Sequence, residues 1–309
     1  MRILLAAKPL LKRLCLTGML ILAGVCAAAT AATATGKAAI TVLDDAQRQV
    51  TLAKPAQRII SLAPHITELL FEAGAGKQIV AVTDYSDYPE AAKKLPSIGN
   101  IFALDLERLL ALKPDLVIIW GTGNAKILAN KLRSNNITVF ESEPHDFEMV
   151  ATSIERLASL AGTDAVGQAA AQKFRQRLDH LRKTYALPAS ATPVSVFYQM
   201  VRRPLMTLND DHMVSDAIRL CGGRNVFGKL KELSSTITTE AVLSANPDMM
   251  LTTGDNVEAL ADWQQFPILT AVKKNHFYAV KGDWLNRAGP RILDGTEALC
   301  KHLATARSK

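Results

Sequence analysis

At 309 residues the chain is long enough, once a leader is set aside, for two lobes of ordinary size rather than one enlarged core. Its formal charge of +7 includes Arg2, Lys8, Lys12 and Arg13, so the part that follows the leader carries about +3. That charge suits solubility and excludes the basic footprint of a nucleic-acid binder.

Residues 1–34 combine the basic start with an apolar run from Leu14 to Val25 and then small residues at A-x-A spacings. This pattern predicts a secretory signal peptide, cleaved between Ala29 and Ala34. A membrane anchor fits less well, because the run falls short of the roughly 20 apolar residues a spanning helix needs. Val25 before Cys26 also argues against a lipoprotein signal. No later segment approaches spanning length, so the expectation is a soluble, exported protein. Cys15 and Cys26 leave with the leader, and Cys221 and Cys300 remain. In an oxidising compartment two such thiols either pair or stay buried and free.

The next stretch, "AITVLDDAQRQVTLAKPAQRIISLAP", reads as a hairpin around "DDAQRQ" followed by a strand from Arg58 to Leu62. "HITELLFEAGAG" is a helix stopped by Gly74 and Gly76, and "IVAVTD" is the next strand. A helix from Asp105 to Leu112, a strand from Asp115 to Trp120, a helix from Ala125 to Arg133 and a strand from Ile137 to Glu141 continue the alternation. Such alternation predicts a mainly parallel sheet covered by helices. From Thr163 to Ala186 the chain instead carries Val166, Ala170, Phe174, Leu178, Leu181 and Tyr185 at helical spacing, with no strand behind them. A helix of that length, about 35 Å, is suited to bridge two lobes. Alternation then resumes with "TPVSVFYQM", helices at Met213 to Cys221 and Thr238 to Ala245, strands at Asp248 to Thr253 and His276 to Val280, and a closing helix from Pro290. The predicted fold is α/β: two Rossmann-like lobes, residues 35–162 and 188–309, joined by one long backbone helix over 163–187.

"DLERLLALKPDLVIIW" returns in weaker form as "TTEAVLSANPDMMLTT". With a shift of 133 residues Glu107 falls on Glu240, Leu110 on Leu243, Pro114 on Pro247 and Asp115 on Asp248. The repeat predicts the same helix-turn-strand unit in each lobe. Asp105 and Thr238 are suitable N-caps, which puts both glutamates in first helical turns. A helix start lies beside the carboxyl end of the strand that follows it, the edge where open α/β sheets bind ligands. Glu107 and Glu240 therefore read as paired pegs for a basic, two-fold partner, or more plainly as carboxylates favoured by the helix dipole.

The same edge carries the candidate ligand contacts. Tyr85 and Tyr88 in "YSDYP", Trp120 at its strand's end and Trp284 after the strand from His276 to Val280 offer flat faces for a large ring. Arg287 suits polar substituents or a salt bridge, and His65 follows Pro64 at the end of the first strand. The six histidines show no metal-ligand spacing, and no phosphate loop, nucleophile elbow or triad is present, so neither a metal site nor catalysis is predicted.

Together "RIISLAPHITELLFEAGAG", "DYSDYP", "LERLLALKPDLVIIW", "GGRNVFG" and "GDWLNRAGPRI" resemble the periplasmic cobalamin-binding family, substrate-binding components of ABC importers. The family lies in the helical-backbone class that also serves haem and ferric siderophores. The resemblance runs from about Arg58 to the end of the chain. It implies a non-enzymatic, monomeric periplasmic carrier without a cofactor, which takes cobalamin or a related corrinoid to an inner-membrane permease dimer. It implies a corrinoid site at Tyr85 and at Asp283, Trp284 and Arg287, and the expected site adds the intervening Leu285 and Asn286 and the sheet-edge candidates Trp120 and His65. It also implies docking of Glu107 and Glu240 on permease arginines, and a disulfide between Cys221 and Cys300. A family tryptophan just ahead of the first glutamate is replaced here by the region of Ile101 and Phe102. Haem or a ferric siderophore is the alternative ligand, with Tyr85 or His65 on iron. A secreted metal-dependent hydrolase is the alternative from another class, and the scattered histidines speak against it.

Overall fold

The computed structural model describes residues 39–100, 103–121, 125–188 and 190–308. The expected signal peptide with its two cysteines, and the pair Ile101 and Phe102, lie outside the described residues.

The N-terminal lobe opens on the expected hairpin, β1 (Ile40–Leu43) antiparallel to β2 (Gln49–Leu52). There follow β3 (Ile59–Ser61), α1 (Pro64–Glu72), β4 (Ile79–Val82), a short pair β5 (Gly99–Asn100) and β6 (Ala103–Leu104), and α2 (Leu106–Ala111). β7 (Leu116–Trp120), α3 (Ala125–Ser134), β8 (Val139–Ser142) and α4 (Phe147–Ala161) complete it. The linking helix is α5 (Asp164–Tyr185). The C-terminal lobe contains β9 (Val194–Gln199), β10 (Met206–Leu208), α6 (Met213–Leu220), β11 (Gly223–Asn225), β12 (Ser234–Thr236) and α7 (Thr239–Ala245). β13 (Met249–Thr253), α8 (Thr270–Lys273), β14 (Phe277–Val280), α9 (Gly282–Leu285) and α10 (Ile292–Ser308) end the chain.

Each lobe has a four-stranded, wholly parallel sheet, ordered β4-β3-β7-β8 in the first and β11-β9-β13-β14 in the second. Counted within its lobe, each order is second, first, third, fourth. The strand order therefore reverses at equivalent places, between β3 and β7 and between β9 and β13. Loops leaving the carboxyl ends there diverge and open a crevice.

Side chains on a strand alternate faces, and both faces here are covered. Leu116 and Ile118 of β7 enter one core with α1, α4 and α5, whereas Val117 and Ile119 pack with Leu109, Ala129 and Leu132 of the outer helices. In the second lobe Met249 and Leu251 enter that same first core with α6 and α10, while Met250 packs outward with Val242 and Trp263. The inner core thus runs without interruption from one sheet to the other.

The repeated "PD" turn has a structural role in both lobes. The Asp115 carboxylate accepts from the Gln57 and Arg58 N–H groups at 2.9 Å, and Asp248 accepts from the Ser195 N–H at 3.0 Å. Each aspartate thereby ties the head of the third strand to the head of the first.

α5 has 22 residues, with Gly167, Ala171, Phe174, Leu178 and Leu181 as its buried face. The expected stripe was one position off at its start, since Val166 is 52% exposed. Residues 142–162, unassigned by the alternation, contain α4, capped by the Asp146 side chain and ended by Gly162 at φ 71°. α4 lies along α5, and Arg175 of α5 pairs with Glu148 and Glu155 of α4. Arg177 reaches the other way, to Asp294 and Glu297 of α10. The bridging helix is therefore supported from both lobes.

Candidate functional site

A cavity of about 350 Å³ lies between the lobes. From the first lobe its wall takes Ala63, Pro64 and His65 after β3, Trp120 at the end of β7, and Glu143 to His145 after β8. From the second it takes Met200 after β9, Leu208 on β10, residues 211–213 leading into α6, Leu233 and Ser234 at β12, and residues 285–288. Both crevices at the strand-order reversals thus face one space.

Pro64 starts α1, where a missing N–H costs nothing, and this places His65 in the first turn. His65 is 7% exposed and sits edge-on to Trp120, ring centres 5.9 Å apart. Burial pushes its pKa down to about 4; a bond to the Ser142 backbone opposes the shift and the Arg287 charge adds to it. The ring is neutral near pH 7, and its Nε2 has no partner among the described residues. His212 caps α6, its Nδ1 accepting from the Val214 N–H at 3.1 Å. Burial, then the facing His145, lowers its pKa to about 4 as well. Two neutral imidazoles, Trp120 at 40% exposure and the aliphatic wall make a predominantly apolar surface.

The segment 283–287 is set by its own backbone contacts. A Cβ on Gly295 would stand 2.8 Å from the Trp284 carbonyl oxygen, so only glycine lets α10 approach α9 this closely. Asn286 accepts from the Tyr198 hydroxyl at 2.8 Å and donates to Thr253 Oγ1 at 3.0 Å, which ties it to β9 and β13. Burial raises the Tyr198 phenol to about 12, so it remains a donor. Leu285 is buried, and Trp284 lies under the Lys281 ammonium, 4.9 Å from its ring centre.

Arg287 lines the cavity and donates to Glu68, to Asp87 and to the Tyr85 carbonyl, and it pairs with Asp283 at 3.0 Å. Burial alone would raise the Asp87 carboxyl, yet the Arg287 hydrogen bond holds it below the usual range. Tyr85 has φ 65°, an uncommon left-handed conformation for a side chain of its size, and the residue is 77% exposed. Of the residues singled out from sequence, His65, Trp120, Leu285, Asn286 and Arg287 meet on the cavity wall. Tyr85 and Asp283 adjoin it through Arg287, and Trp284 is not part of the wall.

Sequence reasoning missed Met200, Leu208, His145, His212 and Leu233. Met200 carried a usable signal, being the first residue past a readable strand in the second lobe. Leu208 ends the three-residue β10, and His145, His212 and Leu233 lie between elements, where no periodicity marks them.

Asp105 and Thr238 cap α2 and α7 as expected, accepting from the Arg108 and Ala241 N–H groups at 2.9 and 3.2 Å. Glu107 and Glu240 occupy the first turns and are exposed. Backbone and Thr238 hydrogen bonds hold the Glu240 carboxyl below its usual range. Cys221 and Cys300 form a disulfide, S–S 1.99 Å. Among the described residues no group of His, Cys, Asp or Glu is arranged to hold a metal ion, and no helix is long and apolar enough to cross a membrane.

The profile of a family described as periplasmic binding protein matches residues 59–283. A vitamin B12-binding protein of Vibrio cholerae is 39% identical over 256 residues, 82% of this chain and 92% of the relative. One from Yersinia pestis is 35% identical over 258 residues, 82% of this chain and 88% of the relative. The crystal structure of the periplasmic vitamin B12 binding protein BtuF of Vibrio cholerae superposes with a TM-score of 0.75 at 39% identity, covering 82% of this chain and 99% of that one. The periplasmic haem-binding protein BhuT in complex with two haems gives 0.72 at 26% identity, with 82% and 99% covered. A parallel sheet of the same order in each lobe, one bridging helix and this similarity over most of its length lead to one conclusion: the chain belongs to the periplasmic binding protein family.

Proposed function

We propose that the protein captures cobalamin or a related corrinoid between its lobes and delivers it to an inner-membrane ABC permease dimer. The observation that carries this reading is the interlobe cavity, walled by Trp120, neutral histidines and aliphatic side chains, in a chain 39% identical to a vitamin B12-binding protein. A flat macrocycle with amide-bearing edges needs an apolar platform and a few fixed polar groups at its margin. Trp120 and His65 serve as platform, Leu285 as floor, and Asn286 and Arg287 as the polar margin. Tyr85, Asp283 and Trp284 adjoin that margin and meet the ligand as it enters. The corrinoid is cargo; no cofactor and no chemical step are required.

In this reading residues 1–34 direct export to the periplasm and are removed. The lobes 35–162 and 188–309, linked by 163–187, then act as a free monomer. Glu107 and Glu240 dock on basic groups of the two permease subunits. Calorimetry of the mature protein against cyanocobalamin, haemin and a ferric siderophore tests the ligand. Saturable heat with cyanocobalamin is expected; heat with haemin or the siderophore alone overturns the reading. Haem is the second reading, favoured by the unpartnered Nε2 of His65 and the 26%-identical haem-binding neighbour. A Soret shift on haemin titration that disappears in His65→Ala is its signature.

A further inference from the structure

Besides α5, the lobes share a polar contact that ligand capture as described above does not use. Glu68 of α1 is 3% exposed and belongs to the first lobe. Its carboxylate accepts a forked pair from Arg291, Nε to Oε2 at 2.9 Å and Nη2 to Oε1 at 2.6 Å, and a third bond from Arg287 Nη1 at 3.1 Å. Both arginines come from the second lobe, 219 and 223 residues further along the chain. Arg291 also covers the Tyr88 ring of the first lobe, 4.1 Å from its centre.

The other carboxylates on Arg287, Asp87 at 2.9 Å and Asp283 at 3.0 Å, lie as near as Glu68 but are more open to solvent. Asp87 and Asp283 have side chains 49% and 51% exposed, where water and salt compete, whereas the Glu68 side chain is 1% exposed. A buried pair adds little net stability because its desolvation offsets its attraction, yet removing one partner strands the other charge. What such a cluster supplies is geometry, since a forked arginine–carboxylate pair permits one relative orientation.

We propose that Glu68 is a positioning residue for ligand capture: it holds the Arg287 guanidinium on the cavity wall and, through Arg291, holds the two lobes at the separation that forms the cavity. A cavity spaced in advance spares the ligand the cost of ordering it. Glu68→Gln keeps the shape, removes the charge and turns an amide donor toward guanidinium donors.

The test uses the mature chain with spin labels at Ile127→Cys and Ile268→Cys, two exposed positions in different lobes, both 70% accessible. Glu68→Gln is expected to broaden the lobe-to-lobe distance distribution without ligand and to accelerate cyanocobalamin dissociation about tenfold or more, with association nearly unchanged. A lowered thermal midpoint with an unchanged distribution and dissociation rate marks a merely structural role and overturns the proposal. Should Glu68→Gln fail to fold, Arg291→Lys keeps the charge and loses the fork. The same two readouts then move in the same directions by less, and their constancy overturns the proposal. The dissociation readout rests on the carrier reading. If the wild type takes no cyanocobalamin, that reading fails, and the distance distribution alone decides: broadening supports the positioning role and constancy refutes it.

Discussion

His65 and His212 lie on the cavity wall as neutral rings, each with a pKa of about 4 in the folded chain against 6.5 when unfolded. A lowered folded value means that the unfolded chain takes up the proton first. Their contribution is therefore fully present above pH 6.5 and is lost as pH falls toward 4. For His65, which is almost fully buried, the contribution is on the order of 3 kcal/mol. Urea midpoints should accordingly fall between pH 6.5 and 4, and His65→Gln should flatten that fall; an unchanged slope would show that the ring is solvated. His65 and Trp120 were legible as cavity-wall candidates because Trp120 ends a readable strand and His65 follows one closely, at the edge where open α/β sheets bind ligands. The first-lobe partners of Arg287 were not, since Glu68 and Asp87 lie 219 and 200 residues away and no local rule connects such distances.

The helices α5 and α10 do more than their sequence periodicity indicates. α5 spans about 33 Å and is flanked by α4 on one side and by ion pairs to α10 on the other. α10 is in turn anchored to the end of α6 by Cys221–Cys300, 79 residues apart. Closing a loop of that size restricts the unfolded chain by about 4 to 5 kcal/mol on the chain-entropy model. Cys221→Ala/Cys300→Ala should lower unfolding free energy by an amount of that order, read in matched denaturant titrations; a loss below about 1 kcal/mol would show that the α6–α10 packing alone suffices. The Asp146 cap, the heptad-like apolar spacing of "FEMVATSIERLASLAG" and the Gly162 stop were all present for α4. α4 follows a strand and precedes another helix, so it breaks the strand–helix alternation that marks the rest of the lobe.

Taken whole, the molecule is two copies of one topology that share an inner core. Because α1, α4, α5, α6 and α10 pack into a single apolar layer between the sheets, any opening of the cleft must slide or tilt that layer. Lobe closure should consequently be small. Glu107 and Glu240 stand on equivalent helices of the two topological copies, which makes their pairing a property of the whole chain. Reversing both to Lys should abolish transport and leave ligand affinity within about twofold, because exposed charges far from a site act there only weakly. Transport that survives would reduce them to ordinary first-turn carboxylates. The longer periodic strands and helices, the doubled unit and the cap residues were determined by the sequence alone, because period, capping and turn chemistry act over a few residues, whereas α4 and the three-residue β11 were not read from it. The "PD" aspartates show the limit: their repetition was visible, but that each ties two strand heads together was not. The facing of two crevices, the neutral state of His65 and His212 and the Glu68–Arg287–Arg291 junction were decided only by tertiary structure, because burial and charge pairing depend on segments brought together from opposite ends of the chain.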